Sequence, residues 1–547
     1  MQTVMFIICA AAAFVGIIFF SLREFHMLQL NGYKTPEHSR WMKKNYKRYI
    51  LPLILFVLQF TMLATGATLP MIIGFTAFDL CIAIANKPGK KFKKPLVYTA
   101  RVKRMLATFW IIIAVFFVIA VIKGHNTVYF DRIWNDDHTA FTYYSKEVQW
   151  FKRALPFILV NSALYLTPLL APLSNLINKP IEKAIQKHYI NDAKRILSEM
   201  PELHKIGITG SYGKTSMKFY LSELLSSQYN TLKTPESFNT PMGVTITVRQ
   251  HLKPTHEYFV CEMGARRVGE IKELCDIVCP HVGIITSVGP QHLETFRSIE
   301  NVVKTKFELA DSISALGKVY LNGDNELIQK KSSEYKNAVL YGLGEENDYR
   351  ASDIKVSDKG TEFTVTAPDG AACRYTTRLL GEHNVQNLTG AIAYCHGTGI
   401  SLEKLVLPVK RIEAVPHRLQ LLDKGGAITF IDDAYNSNPN GCRAALKVLS
   451  LFDSCRILVT PGMVELGAKQ EELNYEFGTE AAKACDYIIL VGKTQTEPIY
   501  KGVIDSGYPK DKIFVADTLN EAIEKVHSYQ TDRKKIVLLE NDLPDNY

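Results

Sequence analysis

The first 180 residues contain several long apolar stretches, and these constrain the fold more than any other feature of the sequence. Hydrocarbon offers the backbone no hydrogen-bond partners, so a segment that crosses a core of ~30 Å must be a helix of about 20 residues. We predict about five such transmembrane helices: one at 4–22, two within 50–86 separated by a turn at 66–70, one at 105–122 and one at 154–177. We therefore expect a membrane protein rather than a purely soluble one.

Charge is distributed unevenly along the chain. Residues 1–180 contain 21 Lys and Arg against 7 Asp and Glu, whereas the whole chain contains 64 against 55. The basic segments 23–49 and 87–104 are predicted to be cytoplasmic by the positive-inside rule, and the segment 124–151 to be outside. Five spans then place everything after residue 179 in the cytoplasm, where ATP is available. We predict a multi-pass protein of the cell membrane with cytoplasmic catalytic domains. Because the rest of the chain is mildly acidic, no nucleic-acid partner is predicted.

One charged residue falls inside a predicted span. An intramembrane carboxylate is costly, so Asp79 is a candidate functional group, and packing at a helix interface is the structural alternative. The ten cysteines are scattered and form no Cys-x-x-Cys pairs. Neither a disulfide scaffold nor a zinc ribbon is therefore predicted.

The segment 205–216 contains the clearest chemical motif. A predicted strand at 205–209 leads into Gly210-Ser-Tyr-Gly-Lys-Thr-Ser216 and then into a predicted helix. In such a loop the backbone N–H groups and the helix N-terminus bind phosphates, the lysine neutralises phosphate charge and the threonine hydroxyl binds Mg²⁺. The strict pattern has a glycine five positions before Gly213, where this chain has Ile208. The loop predicts an ATP site formed by Gly210, Ser211, Gly213, Lys214, Thr215 and Ser216.

Further motifs follow this loop in a fixed order. They are Glu236-Ser-Phe-Asn-Thr-Pro-Met-Gly243, Val260-Cys-Glu-Met-Gly-Ala265, Ile284-Ile-Thr-Ser-Val-Gly-Pro-Gln-His-Leu-Glu294, Gly381-Glu-His-Asn-Val-Gln-Asn387, Pro416-His-Arg-Leu419, Asp432-Asp-Ala-Tyr-Asn-Ser-Asn-Pro439 and Gly462-Met-Val-Glu-Leu-Gly467. With the loop, the series resembles the Mur ligases over residues 205–470, and more loosely over 471–547. The Tyr-Asn-x-Asn-Pro and Glu-Met-Gly-Ala segments are most similar to the members that add D-alanyl-D-alanine to a UDP-muramoyl tripeptide.

The resemblance implies the fold and the domain organisation. We expect an α-helical membrane region at 1–180, a central α/β ATP-binding domain of the P-loop type at 181–412 and a Rossmann-like C-terminal domain at 413–547. The alternation of strands and helices after residue 188 independently predicts parallel α/β sheets. The membrane region stands where the soluble members of the family have a UDP-binding domain.

The resemblance also implies roles for individual residues. Thr215 and Glu262 would bind one Mg²⁺ and His292 a second, while Lys214 would contact the phosphates. A hydrogen-bonded histidine at a strand end is the structural alternative for His292. Lys306 follows His292 by fourteen residues, the spacing that the family shows. Two readings of Lys306 stay open: a plain ammonium that neutralises charge, or a lysine carbamylated by CO₂ that becomes an anionic metal ligand.

Nucleotide contacts beyond the loop are implied in the same way. Asn387 would contact the adenine, Arg418 the γ-phosphate and Asp432 the ribose. Asn384 is expected to be a turn or cap residue. The loop of Tyr435, Asn436 and Asn438 adjoins the ribose residue, with helix capping or a turn as the structural alternative for its asparagines.

The predicted function is ATP-dependent amide ligation of a small-molecule or lipid-linked cell-wall precursor, with ATP and Mg²⁺ as cofactors. Two departures from the family concern the substrate. No segment replaces the UDP-binding domain, and the C-terminal Lys-Gly-Ser-Arg-like stretch of the D-alanyl-D-alanine-adding members is replaced by the acidic 540–547. Ligation onto another polymer or a lipid-linked acceptor is one alternative, and a P-loop ATPase that powers transport through the spans is another. A catalytically silent anchor is a third. The sequence does not indicate the oligomeric state.

Overall fold

The computed structural model describes residues 2–61, 69–87, 95–133, 142–291, 293–357, 360–422, 426–434, 438–464 and 466–541. These residues belong to two compact units, Met1–Gln186 and Lys187–Leu543.

The first unit is helical. Its helices are Gln2–Leu30, Thr35–Lys44, Lys47–Leu58, Leu69–Asn86, Ala100–Ile133, Thr142–Tyr165 and Thr167–Ser198, the last of which continues into the second unit. Large apolar side chains such as Phe25 and Phe109 are fully buried between these helices and pack edge to face, with ring centroids 5.6 Å apart. Many other apolar side chains of the same helices are exposed. A helix that is apolar on its outer face as well as its inner face is typical of a membrane span.

Two helices of this unit are long and apolar enough to cross a membrane, Ile7–Leu30 and Ala100–Ile119. The pair Ala154–Tyr165 and Thr167–Ser198, bent by 68°, adds a third if it counts as one broken span. These three coincide with the predicted spans at 4–22, 105–122 and 154–177. The unit therefore carries two or three candidate membrane spans among its described residues.

The two spans predicted within 50–86 correspond to shorter helices. Lys47–Leu58 has 12 residues, and Pro70–Asn86 is an apolar helix below the length of a full span. Most of the turn predicted between them, at 66–70, lies outside the described residues. The total of five spans and the cytoplasmic orientation stay predictions.

The second unit contains two α/β sheets. The first has nine strands: β1 His204–Thr209, β2 Thr231–Lys233, β3 Tyr258–Glu262, β4 Val282–Ile285, β5 Val319–Asn322, β6 Ala338–Gly342, β7 Tyr349–Ser357, β8 Gly360–Thr366 and β9 Ala372–Thr377. Their order in the sheet is β2-β3-β1-β4-β5-β6-β7-β8-β9. The pairs from β2 to β7 are parallel, whereas β8 pairs antiparallel with both β7 and β9. The parallel part was predicted, and the antiparallel strands at 349–377 were not.

Helices cover both faces of this sheet. They are Lys214–Ser226, Pro241–His251, Glu270–Val278, Leu293–Phe296, Ile299–Asp311, Glu326–Ser332, Glu382–Gly397 and Val406–Arg411. One buried cluster includes Leu221 and Ile392 on one face, and another includes Leu274 and Phe307 on the other. The sheet is therefore buried on both sides, as a parallel sheet requires.

The second sheet has six strands: β10 Gln420–Leu422, β11 Ile428–Asp433, β12 Cys455–Thr460, β13 Tyr487–Val491, β14 Ile513–Ala516 and β15 Lys535–Glu540. Their order is β10-β11-β15-β12-β13-β14, and all pairs are parallel except β10 with β11. Its helices are Pro439–Ser450, Gln470–Ala484, Glu497–Asp505 and Leu519–Ser528. The alternation of strand-like and helical stretches after residue 419 predicts strands at 427–432, 456–460, 487–491, 513–515 and 536–539, and these coincide with β11 to β15. The predicted fold class, a helical region followed by a P-loop α/β domain and a Rossmann-like domain, is confirmed.

Candidate active site

The predicted phosphate loop lies at the carboxyl end of β1, an interior strand of the nine-stranded sheet. β1 pairs with β3 on one side and β4 on the other, so the carboxyl ends of three strands meet there. Open α/β sheets bind ligands at this edge. Gly213, with φ +78°, precedes the first residue of helix Lys214–Ser226. A Cβ at Gly210 would lie 2.2 Å from Thr286 Oγ1, so only glycine fits where the loop passes the end of β4.

The lysine of the loop lies over the loop's own carbonyl groups. Lys214 Nζ donates hydrogen bonds to the carbonyl oxygens of Gly210, at 2.8 Å, and Ser211, at 3.0 Å. Burial lowers the pKa of Lys214 to about 8. The negative charge of Glu262 acts in the opposite direction, and the positive charge of Arg418 lowers the pKa further. An ammonium held between loop carbonyls and close to a second cation is suited to receive an anion from the open edge of the loop.

Glu262, the last residue of β3, is 2% exposed and faces the loop. Its Oε1 accepts hydrogen bonds from Thr215 Oγ1, at 3.2 Å, and from Asn239 Nδ2, at 3.0 Å. Its Oε2 lies 3.0 Å from Lys218 Nζ. Burial would raise the pKa of Glu262, but Lys218, Lys214 and Asn239 together hold it below its ordinary value. The carboxylate is therefore kept ionised beside the threonine hydroxyl, and both are oxygen ligands that Mg²⁺ accepts.

Lys306 is buried near this loop, on helix Ile299–Asp311. Burial and then the positive charge of Lys214 hold its pKa well below the ordinary value, against the opposing effect of Glu270 and Glu308. His292 lies outside the described residues, so its predicted place beside Lys306 stays a prediction. Within the described part of the chain, no three His, Cys, Asp or Glu side chains come close enough to hold a metal ion. Of the residues predicted to bind metal, Thr215 and Glu262 lie in direct contact.

The residue predicted to contact adenine, Asn387, lies on helix Glu382–Gly397, and the residue predicted to contact ribose, Asp432, lies on β11 of the second sheet. Asn387 is 8% exposed and packs against the phosphate loop, where a Cβ at Gly213 would lie 3.0 Å from its Oδ1. Asp432 Oδ2 lies 2.8 Å from His417 Nδ1. The charge of Arg418 reaches Lys214, where it adds to the lowering of the pKa by burial, and Tyr220, where it opposes the rise in pKa that burial causes. The structure thus brings Arg418 to the loop despite about two hundred intervening residues.

Two asparagines have structural roles. Asn384 Oδ1 accepts a hydrogen bond from Tyr220 at 2.8 Å, and its Nδ2 donates one to the Leu380 carbonyl at 2.9 Å. Asn438 Oδ1 accepts a 2.9 Å hydrogen bond from Gly441 N–H and caps helix Pro439–Ser450. Asn438 matches the capping alternative expected from the sequence, whereas Asn384 is neither a turn nor a cap residue: it is buried in the first turn of helix Glu382–Gly397, whose N-cap is Gly381. Tyr435 and Asn436 lie outside the described residues.

Sequence reasoning missed two residues that contact Glu262. Asn239 was within a recognised motif but received no role, and Lys218 was not singled out. The signal for Lys218 was its position four residues after Lys214, because residues at i and i+4 lie on the same face of a helix. His417, the partner of Asp432, was likewise part of a motif without a role.

The comparisons with known proteins agree with this geometry. A family model described as the Mur ligase middle domain matches residues 208–395, and one described as "Mur ligase, glutamate ligase domain" matches residues 417–540. The chain is 30% identical over 330 residues to the UDP-N-acetylmuramoyl-tripeptide--D-alanyl-D-alanine ligase of Escherichia coli, covering 58% of this chain and 72% of the relative. It is 32% identical to the Bacillus subtilis enzyme of the same name, over 52% of this chain and 62% of the relative.

Solved structures show the same similarity. MurF from Acinetobacter baumannii superimposes with a TM-score of 0.60 at 27% identity, covering 66% of this chain and 78% of that chain. MurF ligase from Thermotoga maritima, solved in complex with ADP, superimposes with a TM-score of 0.58 at 24% identity, covering 65% of this chain and 80% of that chain. The N-terminal apolar helices stand in place of the UDP-binding domain of these ligases.

Proposed function

Because this chain belongs to the Mur ligase family of ATP-dependent acid–amino acid ligases, we propose that it forms an amide bond on a cell-wall precursor at the membrane. The observation that carries the proposal is the combination of the Lys214 loop with the Thr215–Glu262 pair, at the edge of the sheet where β1, β3 and β4 end. Lys214 and Arg418 add two cations at that edge, and Lys306 is buried close to Lys214. Such a concentration of positive charge in a poorly solvated place is suited to a bound polyphosphate.

The chemistry follows from the weakness of a carboxylate as an electrophile. Transfer of the γ-phosphoryl group of ATP to the carboxylate oxygen gives an acyl phosphate, and the amine then attacks the acyl carbon and phosphate leaves. Lys214 and Arg418 would neutralise the charge on the transferred group, the largest requirement of such a step. Thr215 and Glu262 would hold a Mg²⁺ ion, which neutralises the charge of the β- and γ-phosphates.

We assign the remaining predicted site residues as follows. His292 would bind a second Mg²⁺ near the carboxylate, and Lys306 would act either as a cation or, once carbamylated, as a further metal ligand. Asn387 and Asp432 would hold the adenine and the ribose, and Gly210, Ser211, Gly213 and Ser216 would surround the phosphates. The Asp432 contact with His417 fits this role, since the second carboxylate oxygen is engaged only by the Ala434 N–H, at 3.2 Å, among the contacts of the described residues.

The first candidate substrates are those given in the names of the relatives. The amine would be D-alanyl-D-alanine and the carboxylate that of a muramoyl tripeptide. A second candidate, a lipid-linked carboxylate substrate, is favoured by the apolar helices that stand where a UDP-binding domain is expected. Both candidates use the same ATP site, with the catalytic domains on the cytoplasmic side of the membrane.

The decisive experiment measures ATP-dependent phosphate release by the detergent-purified full chain, with D-alanyl-D-alanine and UDP-N-acetylmuramoyl-tripeptide added separately and together. Release that requires both, with a pentapeptide product in the mass spectrum, is the expected result for the first candidate. Release that requires D-alanyl-D-alanine and a membrane lipid extract supports the second. Lys214→Ala is the matched negative control, because it removes the ammonium and leaves the loop backbone in place. Turnover that needs no amine and leaves no covalent product would contradict ligation and favour the transport alternative.

A further inference from the structure

Lys218 is a buried lysine beside the proposed cation site. It lies one helical turn after Lys214 on helix Lys214–Ser226, and its side chain is only 4% exposed. Lysine is almost never buried to this extent unless it is paired. Its Nζ lies 3.0 Å from Glu262 Oε2 and also donates a hydrogen bond to the backbone carbonyl of Glu236.

The contacts of Glu262 are divided between its two oxygens. Thr215 and Asn239 donate to Oε1, at 3.2 and 3.0 Å, whereas Lys218 lies against Oε2. The three partners approach from two elements, the helix after the phosphate loop and the segment 234–240. The plane of the carboxylate is therefore fixed, with Oε1 towards Thr215 and Oε2 towards Lys218.

Lys218 also fixes the segment that supplies Asn239. Glu236, whose carbonyl accepts the hydrogen bond from Lys218, has φ +36°, a backbone conformation that non-glycine residues seldom adopt. Three residues later, the Asn239 carbonyl accepts a 2.8 Å hydrogen bond from Gly264 N–H, just beyond β3. A Cβ at Gly264 would lie 2.8 Å from Asn239 Cγ, so the segment passes very close to the strand end. One ammonium thus holds both the carboxylate and the turn that carries the carboxylate's other donor.

We propose that Lys218 is a positioning residue for the cation site of Thr215 and Glu262. By holding Oε2 in an ion pair, Lys218 turns Oε1 of Glu262 towards the Thr215 hydroxyl, where the two oxygens would bind the cation together. Lys218 does not touch the phosphates in this role and acts through Glu262. The inference rests on the proposed function, because it assumes that the Mg²⁺ complex of a nucleotide binds at this loop.

The test is the binding of ADP to the detergent-purified full chain by calorimetry, with and without Mg²⁺. Partners that orient a metal ligand typically contribute tenfold or more to metal affinity, so in Lys218→Met we expect the Mg²⁺-dependent gain in ADP affinity to fall about tenfold while metal-free ADP affinity changes less than about twofold. Lys205→Met is the matched control, since Lys205 is also buried but lies near the amino end of β1. The control should keep the full Mg²⁺ response.

A double variant separates positioning from general stability. Lys218→Met leaves Glu262 buried without its counter-charge and can unfold the domain, whereas Lys218→Met combined with Glu262→Gln removes both charges. If Lys218 acts through Glu262, the double variant should show the same Mg²⁺ response as Glu262→Gln alone. An unchanged Mg²⁺ response in Lys218→Met, or an additional loss in the double variant, would overturn the proposal. Absence of ADP binding in the unsubstituted chain would instead contradict the proposed function itself, and this inference with it.

Discussion

Thr215 Oγ1 donates a 3.2 Å hydrogen bond to Glu262 Oε1, and this contact joins the start of helix Lys214–Ser226 to the end of β3. The helix follows β1, and β3 is the neighbour of β1 in the sheet. A hydroxyl from the phosphate loop and a buried carboxylate from the adjacent strand therefore face the same point.

Replacing Thr215 with valine removes the hydroxyl and keeps the shape of the side chain. Phosphate release should fall about a hundredfold, as when one electrostatic contact to developing charge is removed, and should need more Mg²⁺ for half-maximal rate. The measurement is a Mg²⁺ titration of phosphate release. Thr245→Val is the control, because the Thr245 hydroxyl bonds only the Pro241 carbonyl of its own helix, at 2.8 Å, among the contacts of the described residues. Equal Mg²⁺ requirements in Thr215→Val and the unsubstituted chain would contradict the assignment of this pair to a metal.

Gly213→Ala should abolish ADP binding. At φ +78° the new Cβ would lie 3.0 Å from Asn387 Oδ1, so the loop or Asn387 must move. Gly269→Ala is a matched control, since Gly269 has φ +92° and nothing within 4 Å of the added Cβ. Both variants should lose about 1–2 kcal/mol of stability from backbone strain. Calorimetry should show lost ADP binding only in Gly213→Ala, and retained binding there would mean that the loop tolerates displacement from Asn387.

The low pKa of Lys306 bears on whether this lysine is a plain ammonium or is carbamylated by CO₂. Burial and the charge of Lys214 favour the neutral amine, the form that adds to CO₂. We expect activity to decline in CO₂-free buffer and to return with bicarbonate. Lys306→Ala should be partly restored by short carboxylic acids, which replace the carbamate oxygens. Indifference to bicarbonate together with an active Lys306→Arg variant would favour the plain ammonium.

Acidification should destabilise the second unit through His383. Burial lowers the pKa of His383 to about 4, against the opposing effect of Glu382. As pH falls from the ordinary value near 6.5, the unfolded chain takes up a proton that the folded chain does not, so stability falls by at most about 1.4 kcal/mol per pH unit down to about pH 4. Above pH 6.5 this contribution is constant. Thermal melting of His383→Asn at pH 7 and pH 5 should show a smaller pH effect than the unsubstituted chain, and an equal effect would exclude His383 as the source.

Asp79 is hydrogen-bonded to another helix within the helical unit. Its Oδ1 accepts a 2.8 Å hydrogen bond from Tyr165, and the two residues are 0% and 4% exposed. Tyr165→Phe should cost about 0.5–2 kcal/mol, the range for hydrogen bonds between membrane helices. Thermal melting in detergent would measure it, with Tyr98→Phe, at a 53% exposed position, as the control. If Asp79 serves only packing, phosphate release stays unchanged in Tyr165→Phe, and altered release would implicate the pair in turnover.

The sequence by itself determined the elements of this protein that depend on local pattern. Apolar length identified the two or three candidate spans, because a continuous apolar run of about 20 residues can satisfy its backbone in hydrocarbon by forming a helix. The glycine loop before Lys214 identified the phosphate site, because a strand, a turn and a helix N-terminus are contiguous in the chain. The order of motifs indicated the family, and the alternation of strands and helices indicated the Rossmann-like domain. Both signals are local, because each motif and each strand is a short continuous segment.

Only the tertiary structure decided which side chains share the site. The strand order β3-β1-β4 brings Glu262 to Thr215, and helix Ile299–Asp311 brings Lys306 near Lys214. The sequence places Lys218 on the same helix face as Lys214, but only the folded chain brings its ammonium to 3.0 Å from Glu262. The antiparallel strands β7 to β9 were missed because pairing partners are set by the surface that a strand meets, not by the strand's own residues. Contacts between distant segments depend on how the sheet is ordered and covered, and that is a property of the folded chain.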